Sequence, residues 1–176
     1  INPPWMYRDA RTDGMMDKAN KTLGPDRLWE RTGIQPMFFN TIYQLYAARE
    51  LPEYKKAAKF LMLPDLINFL FTQKLSTEVT NASSTQALNT RTREWDRELI
   101  QLAGVREDLF TELHEPGTLI GVVRGFDDLD GINVVATASP RWHYANLKNS
   151  TLIRRPCLRG SMLRPLGCAR RVDAKC

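Results

Sequence analysis

Apolar residues recur every three or four positions through the first third of the chain, which is the spacing typical of amphipathic helices. Asp13 is a candidate cap for a first helix that Gly24 ends, and Pro25 suits the first turn of a second, short helix. The same periodicity predicts a third helix over residues 41–49 and a fourth over residues 52–61. The first part of the chain is therefore predicted to be helical.

Two later segments have a strong helical character. Residues 66–71 are apolar on nearly every side, which predicts a buried helix that Asp65 caps or begins. Residues 94–102 place apolar and solvated side chains at helical spacing, and Gly104 supplies a C-terminal stop. Apolar positions of these two segments, of the predicted helices 41–49 and 52–61, and of the two strands described next form the predicted core. It consists of Ile42, Leu45, Leu61, Leu66, Phe69, Leu70, Trp95, Leu99, Ile120, Val122, Val134 and Ala136.

Strand character appears late in the chain. Residues 117–123 and 132–138 are rich in β-forming residues, and the turn-forming run 127–131 joins them. Helices followed by strands suit an α/β fold, yet two strands cannot form the sheet that these helices need. We therefore expect a helix-rich α/β fold with an incomplete sheet.

The composition is that of a globular protein. The chain has 176 residues, of which 43% are hydrophobic and 26% charged, so it is long and apolar enough to form a hydrophobic core. Its most apolar stretch, residues 60–71, is short and is broken by Pro64, Asp65 and Asn68, so no membrane span is predicted. No signal peptide is visible at the start, and residues 1–139 contain no cysteine, which favours a cytoplasmic location.

The charge balance changes after Ser139. The whole chain has a formal net charge of +5, but residues 140–176 contain nine lysines and arginines against one acid, Asp173. All three cysteines, Cys157, Cys168 and Cys176, also lie there. Arginines leave few residues able to bury apolar area, so this tail is expected to pack poorly. We therefore divide the chain into a body, residues 1–139, and a basic, cysteine-containing tail, residues 140–176.

Three segments of the body are candidates for function. They are residues 7–13 (YRDARTD), residues 32–41 (TGIQPMFFNT), and the pair 62–65 (MLPD) and 78–86 (EVTNASSTQ). Each has an ordinary alternative: a solvated helix entry in which Asp9 pairs with Arg11, a packed loop, and hydroxyls that cap turns. Singly, none of them specifies a site.

Together and in this order, the segments make residues 1–139 resemble the first, actin-like domain of the FGGY carbohydrate kinases. Within that family the chain is most similar to the rhamnulokinases, on the basis of Gln35, the run 39–41 and the segment 80–86. The resemblance implies part of an actin-like (RNase H-like) ATPase domain. It also implies an enzyme of rhamnose catabolism, a phosphotransferase with an alcohol group as acceptor, that converts the ketose L-rhamnulose to L-rhamnulose 1-phosphate.

The resemblance also implies a substrate site and cofactors. The sugar-binding candidates in the matching segments are Asp9, Arg11, Gln35, Phe39 and Asn40. A complete enzyme of the family uses ATP and Mg²⁺. The family's phosphate-binding hairpin lies upstream of Ile1, and the chain has no glycine-rich phosphate loop of its own, so we expect no cofactor or metal to bind this chain alone.

The family's catalytic base is missing from the sequence. In the family a strand similar to residues 134–139 (VVATAS) runs into His-Asp-Thr, whose Asp accepts the proton, but here Pro140 and Arg141 follow. Arginine stays protonated and cannot act as a base. Codons for Pro-Arg displaced by one base can encode His-Asp, which favours a frameshift after Ser139. We therefore expect no catalytic residue in this chain and no kinase activity.

Two other functions remain open. A non-enzymatic protein could bind nucleic acid or another acidic partner through the basic tail, whose arginines lie near Trp142 and Tyr144. Against this, no nucleic-acid-binding motif organises the arginines, and the cysteines lack zinc-ligand spacing. A sugar-binding pseudokinase lobe is the third possibility, although it requires a complete pocket.

Overall fold

The structure, a computed structural model, describes Met6 and residues 10–139, so the tail and Asp9 lie outside it. A short 3₁₀ turn, Ala10–Thr12, precedes the first helix, and a second, Glu107–Leu109, follows the last. The helices are α1 Met15–Leu23, α2 Pro25–Thr32, α3 Thr41–Ala48, α4 Pro52–Lys56, α5 Leu63–Thr72, α6 Val79–Ser83 and α7 Arg97–Leu102. The strands are β1 Thr77–Glu78, β2 Leu88–Asn89, β3 Glu94–Trp95, β4 Leu113–His114, β5 Leu119–Val122 and β6 Asn133–Val135.

The main core is built by helices. Helices α1, α2, α3 and α7 each bury one apolar side against the others, and the aromatic rings of Phe60, Trp95 and Phe110 cover its edge. The largest fully buried apolar side chains of the core are Leu23, Leu28, Ile42, Tyr43, Leu99, Ile100 and Leu109. Burial of this apolar area is what stabilises helices too short to be stable alone.

Within residues 10–139, the six strands form three separate two-stranded sheets. β1 pairs with β4 in parallel, β2 with β3 antiparallel, and β5 with β6 antiparallel, with an irregular register between Leu119 and Gly121. The hairpin of β5 and β6 confirms the two strands predicted from sequence. Strands β1 to β4 were not predicted, because strands of two residues show no alternation. The expectation of a helix-rich chain with an incomplete sheet is confirmed.

Several helix boundaries differ from prediction. Gly14, with φ of 67°, precedes α1 and no side-chain hydrogen bond caps it, so Asp13 is not its cap. Residues 94 and 95 are strand rather than helix, because Asp96 caps α7 by accepting a hydrogen bond from Leu99 N. Helix α4 ends at Lys56, well before residue 61.

Contrary to the prediction, helix α5 is not buried on all sides, and it buries its polar side. Its polar residues Asp65, Asn68 and Thr72 are buried, whereas Leu63, Ile67 and Leu70 are exposed. The polar side faces the strands: Glu78 N of β1 donates to Asp65, and a Cβ added to Gly121 of β5 would lie 3.2 Å from Thr72 Cβ. A side chain at Gly121 would therefore require Thr72 to shift slightly, and glycine permits the close approach without such a shift. Among residues 10–139, every helix is too short or too polar to cross a lipid bilayer.

The predicted core is confirmed only in part. Ile42, Leu99, Ile120 and Ala136 are buried, and Leu70, which is 53% exposed, is wrong. The others are partly buried, namely Leu45, Leu61, Leu66, Phe69, Trp95, Val122 and Val134. The predicted poor packing of residues 140–176 lies outside the described residues.

An ion pair between the partly buried Arg31 and the buried Asp96 joins the helical core to β2. Arg31 of α2 donates from Nε (2.6 Å) and Nη2 (2.9 Å) to the two carboxylate oxygens of Asp96. The same carboxylate accepts from Asn89 Nδ2 and from Leu99 N. Burial alone would raise the pKa of Asp96, but the hydrogen bonds from Arg31, Leu99 and Asn89 outweigh it and hold the pKa below its usual value.

Replacing Asp96 by alanine is expected to destabilise the chain by about 3 kcal/mol, because Arg31, Asn89 and the α7 N-terminus lose their common acceptor. The control is Glu98→Ala: Glu98 also contacts Arg31, at 2.8 Å, but its side chain is half exposed, and about 0.5 kcal/mol is expected. Urea unfolding at pH 7 measures both. Equal losses would show that the Asp96 network contributes no more than a surface ion pair.

Candidate functional site

Two buried amides connect the predicted sugar-binding loop to the segment after α6. Asn40 donates from Nδ2 to Gln35 O (3.0 Å) and to Gln86 Oε1 (2.9 Å). Gln86 donates from Nε2 to Ile34 O (2.9 Å), and its backbone has a positive φ of 63°. The loop of residues 34–40 therefore takes its shape from side chains in the segment that carries the family resemblance.

Arg11 reaches the same loop through a third amide. Arg11 Nη2 donates to Gln44 Oε1 (3.2 Å), and Gln44 Nε2 donates to Phe39 O (2.8 Å). The Phe39 ring packs edge-on against Phe38, with ring centroids 5.2 Å apart. The 3₁₀ turn that carries Arg11, the loop 34–40 and the segment that carries Gln86 thus meet at the N-terminus of α3.

The structure brings together four of the five predicted sugar-binding residues. Arg11, Gln35, Phe39 and Asn40 belong to one connected set, in which the Gln35 side chain is exposed and the Asn40 side chain is buried. Both Nδ2 protons of Asn40 are used within the fold, so this nitrogen shapes the loop. Asp9, and with it the alternative pairing of Asp9 with Arg11, lies outside the described residues. The roles of all five toward a sugar stay predictions.

Glu78 organises the N-terminus of α6. Its buried carboxylate accepts from Thr80 N (2.8 Å), Thr80 Oγ1 (2.6 Å) and Asn81 N (2.9 Å). Further along, the hydroxyls of Ser83, Ser84 and Thr85 donate to backbone carbonyls three residues earlier. The alternative reading of this hydroxyl-rich stretch as turn caps is therefore confirmed for these residues.

Helix α6 also holds the strand end that leads to Ser139. Ser139 N donates to Thr80 Oγ1 (2.8 Å), and Asn81 Nδ2 donates to Thr137 O (3.1 Å). Sequence reasoning named the segment 80–86 as a family motif but did not include Thr80, Asn81 or Gln86 among the site residues. The signal that could have pointed to these three residues is the run of amides and hydroxyls. Their contacts with Thr137, Ser139 and Ile34 are distant in sequence and could not be read from it.

Asp65 is an acid buried beside Glu78. Its Oδ1 accepts from Glu78 N (3.2 Å), while its buried Oδ2 has no hydrogen-bond partner among the described residues. Burial raises the pKa of Asp65 to about 6; the hydrogen bond from Glu78 N opposes the rise and the negative charge of Glu78 adds to it. The ionised form of Asp65 is thus costly in this position.

Residues 10–139 contain neither a cluster of metal-ligating side chains nor a glycine-rich phosphate loop. No group of three or more His, Cys, Asp or Glu side chains within residues 10–139 could hold a metal ion. The glycines of this part of the chain form no phosphate-binding loop. The chemistry that these residues offer is amide, hydroxyl and guanidinium hydrogen bonding beside an aromatic ring, which suits a sugar.

Comparison with known proteins identifies close relatives. The profile of the N-terminal domain of the FGGY family of carbohydrate kinases matches residues 2–134. The chain is 44% identical over 120 residues to a rhamnulokinase of Halalkalibacterium halodurans, covering 67% of this chain and 26% of that protein. It is 39% identical over 132 residues to a rhamnulokinase of Enterococcus faecalis, covering 74% and 26%.

A solved structure confirms the fold. The xylulose kinase from Rhodospirillum rubrum superposes with a TM-score of 0.70 at 16% identity, over 78% of this chain and 30% of that one. The likeness supports the actin-like ATPase fold expected from sequence. The chain spans about a quarter of the length of the curated relatives it matches.

Asp65→Asn is expected to stabilise the chain at pH 7.5 by on the order of 1–2 kcal/mol, because asparagine keeps the Oδ1 acceptor without a buried charge. The pKa of the Asp65 carboxyl is about 3.9 in the unfolded chain and about 6 in the folded chain. The folded state therefore binds more protons between these values, and the wild-type stability contributed by Asp65 falls as the pH rises through this window.

Thermal unfolding from pH 4 to 8 tests this, with Asp127→Asn, an exposed acid, as the matched control. The difference in stability between Asp65→Asn and wild type should grow from pH 4 to pH 6 and then stay level. A difference that does not depend on pH would show that Asp65 has an ordinary pKa.

Proposed function

The chain belongs to the FGGY family of carbohydrate kinases, and we propose that it supplies the sugar-binding side of an ATP-dependent kinase for a ketose, L-rhamnulose. The family assignment rests on a match over most of the chain. The choice of sugar follows the rhamnulokinases of H. halodurans and E. faecalis. The phosphate-binding side and the second lobe of such an enzyme are not supplied by residues 10–139.

One observation carries this proposal: the loop 34–40, the segment 80–86 and the end of the strand similar to the family's, residues 134–139, are hydrogen-bonded into one unit. Asn40 joins the loop 34–40 to Gln86, and Thr80 joins the same segment, 80–86, to Ser139. A sugar is held by several convergent polar groups beside an aromatic face. The exposed Gln35, the ring of Phe39 and the guanidinium of Arg11 are the groups that we propose to contact it.

We propose further that this 176-residue chain, taken by itself, is inactive. Phosphoryl transfer needs donors around the phosphates with a metal ion, an aligned sugar hydroxyl and a carboxylate that accepts its proton. The described residues hold no metal-binding cluster, and Pro140 and Arg141 follow the strand end. The loss of a general base alone lowers the rate by roughly 10²–10⁴-fold.

The test is ADP release in a coupled assay with ATP, Mg²⁺ and L-rhamnulose. The purified chain is expected to show no sugar-dependent turnover above a mock purification. A full-length rhamnulokinase, such as that of E. faecalis, serves as the positive control. Turnover that depends on L-rhamnulose and that co-purifies with the chain would contradict the proposed inactivity, and turnover with another sugar only would contradict the choice of substrate.

A further inference from the structure

The hairpin of β5 and β6 stops holding the chain before Ser139. Its last backbone bonds are those in which Gly117 N donates to Ala136 O and Ala136 N donates to Thr118 O, both at 2.8 Å. Beyond Ala136 the described chain continues as three residues without regular structure, yet Ser139 is buried. Residues 137–139 therefore need contacts outside the hairpin to keep one conformation.

These contacts come from α6. Thr80 Oγ1 accepts from Ser139 N at 2.8 Å, and Asn81 Nδ2 donates to Thr137 O at 3.1 Å. The two backbone groups belong to residues i and i+2, which lie on the same edge of an extended chain. Two adjacent side chains of one helix thus hold two backbone groups of one strand end.

The direction of the Thr80 hydroxyl is fixed by Glu78. A hydroxyl has a single proton, and that of Thr80 is donated to Glu78 Oε2 at 2.6 Å. A carboxylate only accepts, so the Thr80 oxygen must present a lone pair elsewhere, and it presents one to Ser139 N. Without this fixed direction, the hydroxyl could turn its proton toward the Ser139 amide, where two donors would face each other.

We propose that Thr80 and Asn81 are positioning residues that hold the strand end 137–139 in one conformation. The consequence for catalysis rests on the proposed function: in a complete kinase of the family, the Asp that accepts the proton would follow this strand end. The positioning itself is a property of the chain alone, so it can be measured without sugar or nucleotide.

The test is amide hydrogen exchange of the ¹⁵N-labelled full chain, followed by NMR, in wild type, Thr80→Val and Thr80→Ser. Valine has the shape of threonine but offers no acceptor, so the exchange of the Ser139 amide is expected to accelerate about tenfold or more. Serine keeps the hydroxyl and is expected to restore slow exchange. The amide of Ile100, which donates to Asp96 O in the helical core, should keep its rate in both variants.

Two results would overturn the proposal. Exchange at Ser139 that is unchanged in Thr80→Val would show that Thr80 does not hold this amide. Acceleration of Ser139 and Ile100 by the same factor would show that Thr80 contributes only to overall stability. If Thr80→Val does not fold, Asn81→Ala tests the second contact, since Glu78 and Thr80 remain intact there and only the hold on Thr137 O is lost. Faster exchange at Ser139 with Ile100 unchanged is then expected, and a normal Ser139 rate would overturn the role of Asn81.

Discussion

The polar interior of this chain depends on the carboxylate of Glu78. Three donors converge on it, two of them backbone amides at the start of α6, a helix of only five residues. So short a helix cannot persist on its own, because the first turn costs more conformational entropy than one hydrogen bond returns. The buried acceptor makes α6 possible, and α6 in turn places Thr80 and Asn81 against residues 137–139 and leads the chain to Gln86.

The same arrangement explains why α5 buries its polar side. Strand β1 ends at Glu78. The backbone N–H of Glu78 needs an acceptor, and Asp65 of α5 provides it. Asn68 and Thr72 follow Asp65 on the same side of the helix and are buried with it. The apolar residues Leu63, Ile67 and Leu70 must then point away from the strands. A buried acid with a raised pKa is the energetic consequence of this orientation.

Sequence reasoning succeeded where local patterns decide the structure. Helix α3 and the hairpin of β5 and β6 were found from periodicity and turn residues, and the family was found from motif order. It failed at α5, because an all-round apolar segment contains no information about which side meets the strands. It also did not distinguish the exposed Gln35 from the buried Asn40. Asn40 is held in the interior by a hydrogen bond to Gln86, which lies 46 residues later in the sequence. Strands of two residues, such as β1 and β4, exist only through their partners.

Glu78 is the buried acceptor of three donors on which the polar interior depends, and the change Glu78→Gln tests this claim. Glutamine has the same shape, but its NH₂ group would face an N–H or O–H donor, so the free energy of unfolding in urea should fall by about 2–3 kcal/mol. Glu112→Gln, on an exposed acid, should change it by less than about 0.5 kcal/mol. A Glu78→Gln protein as stable as wild type would contradict the claim.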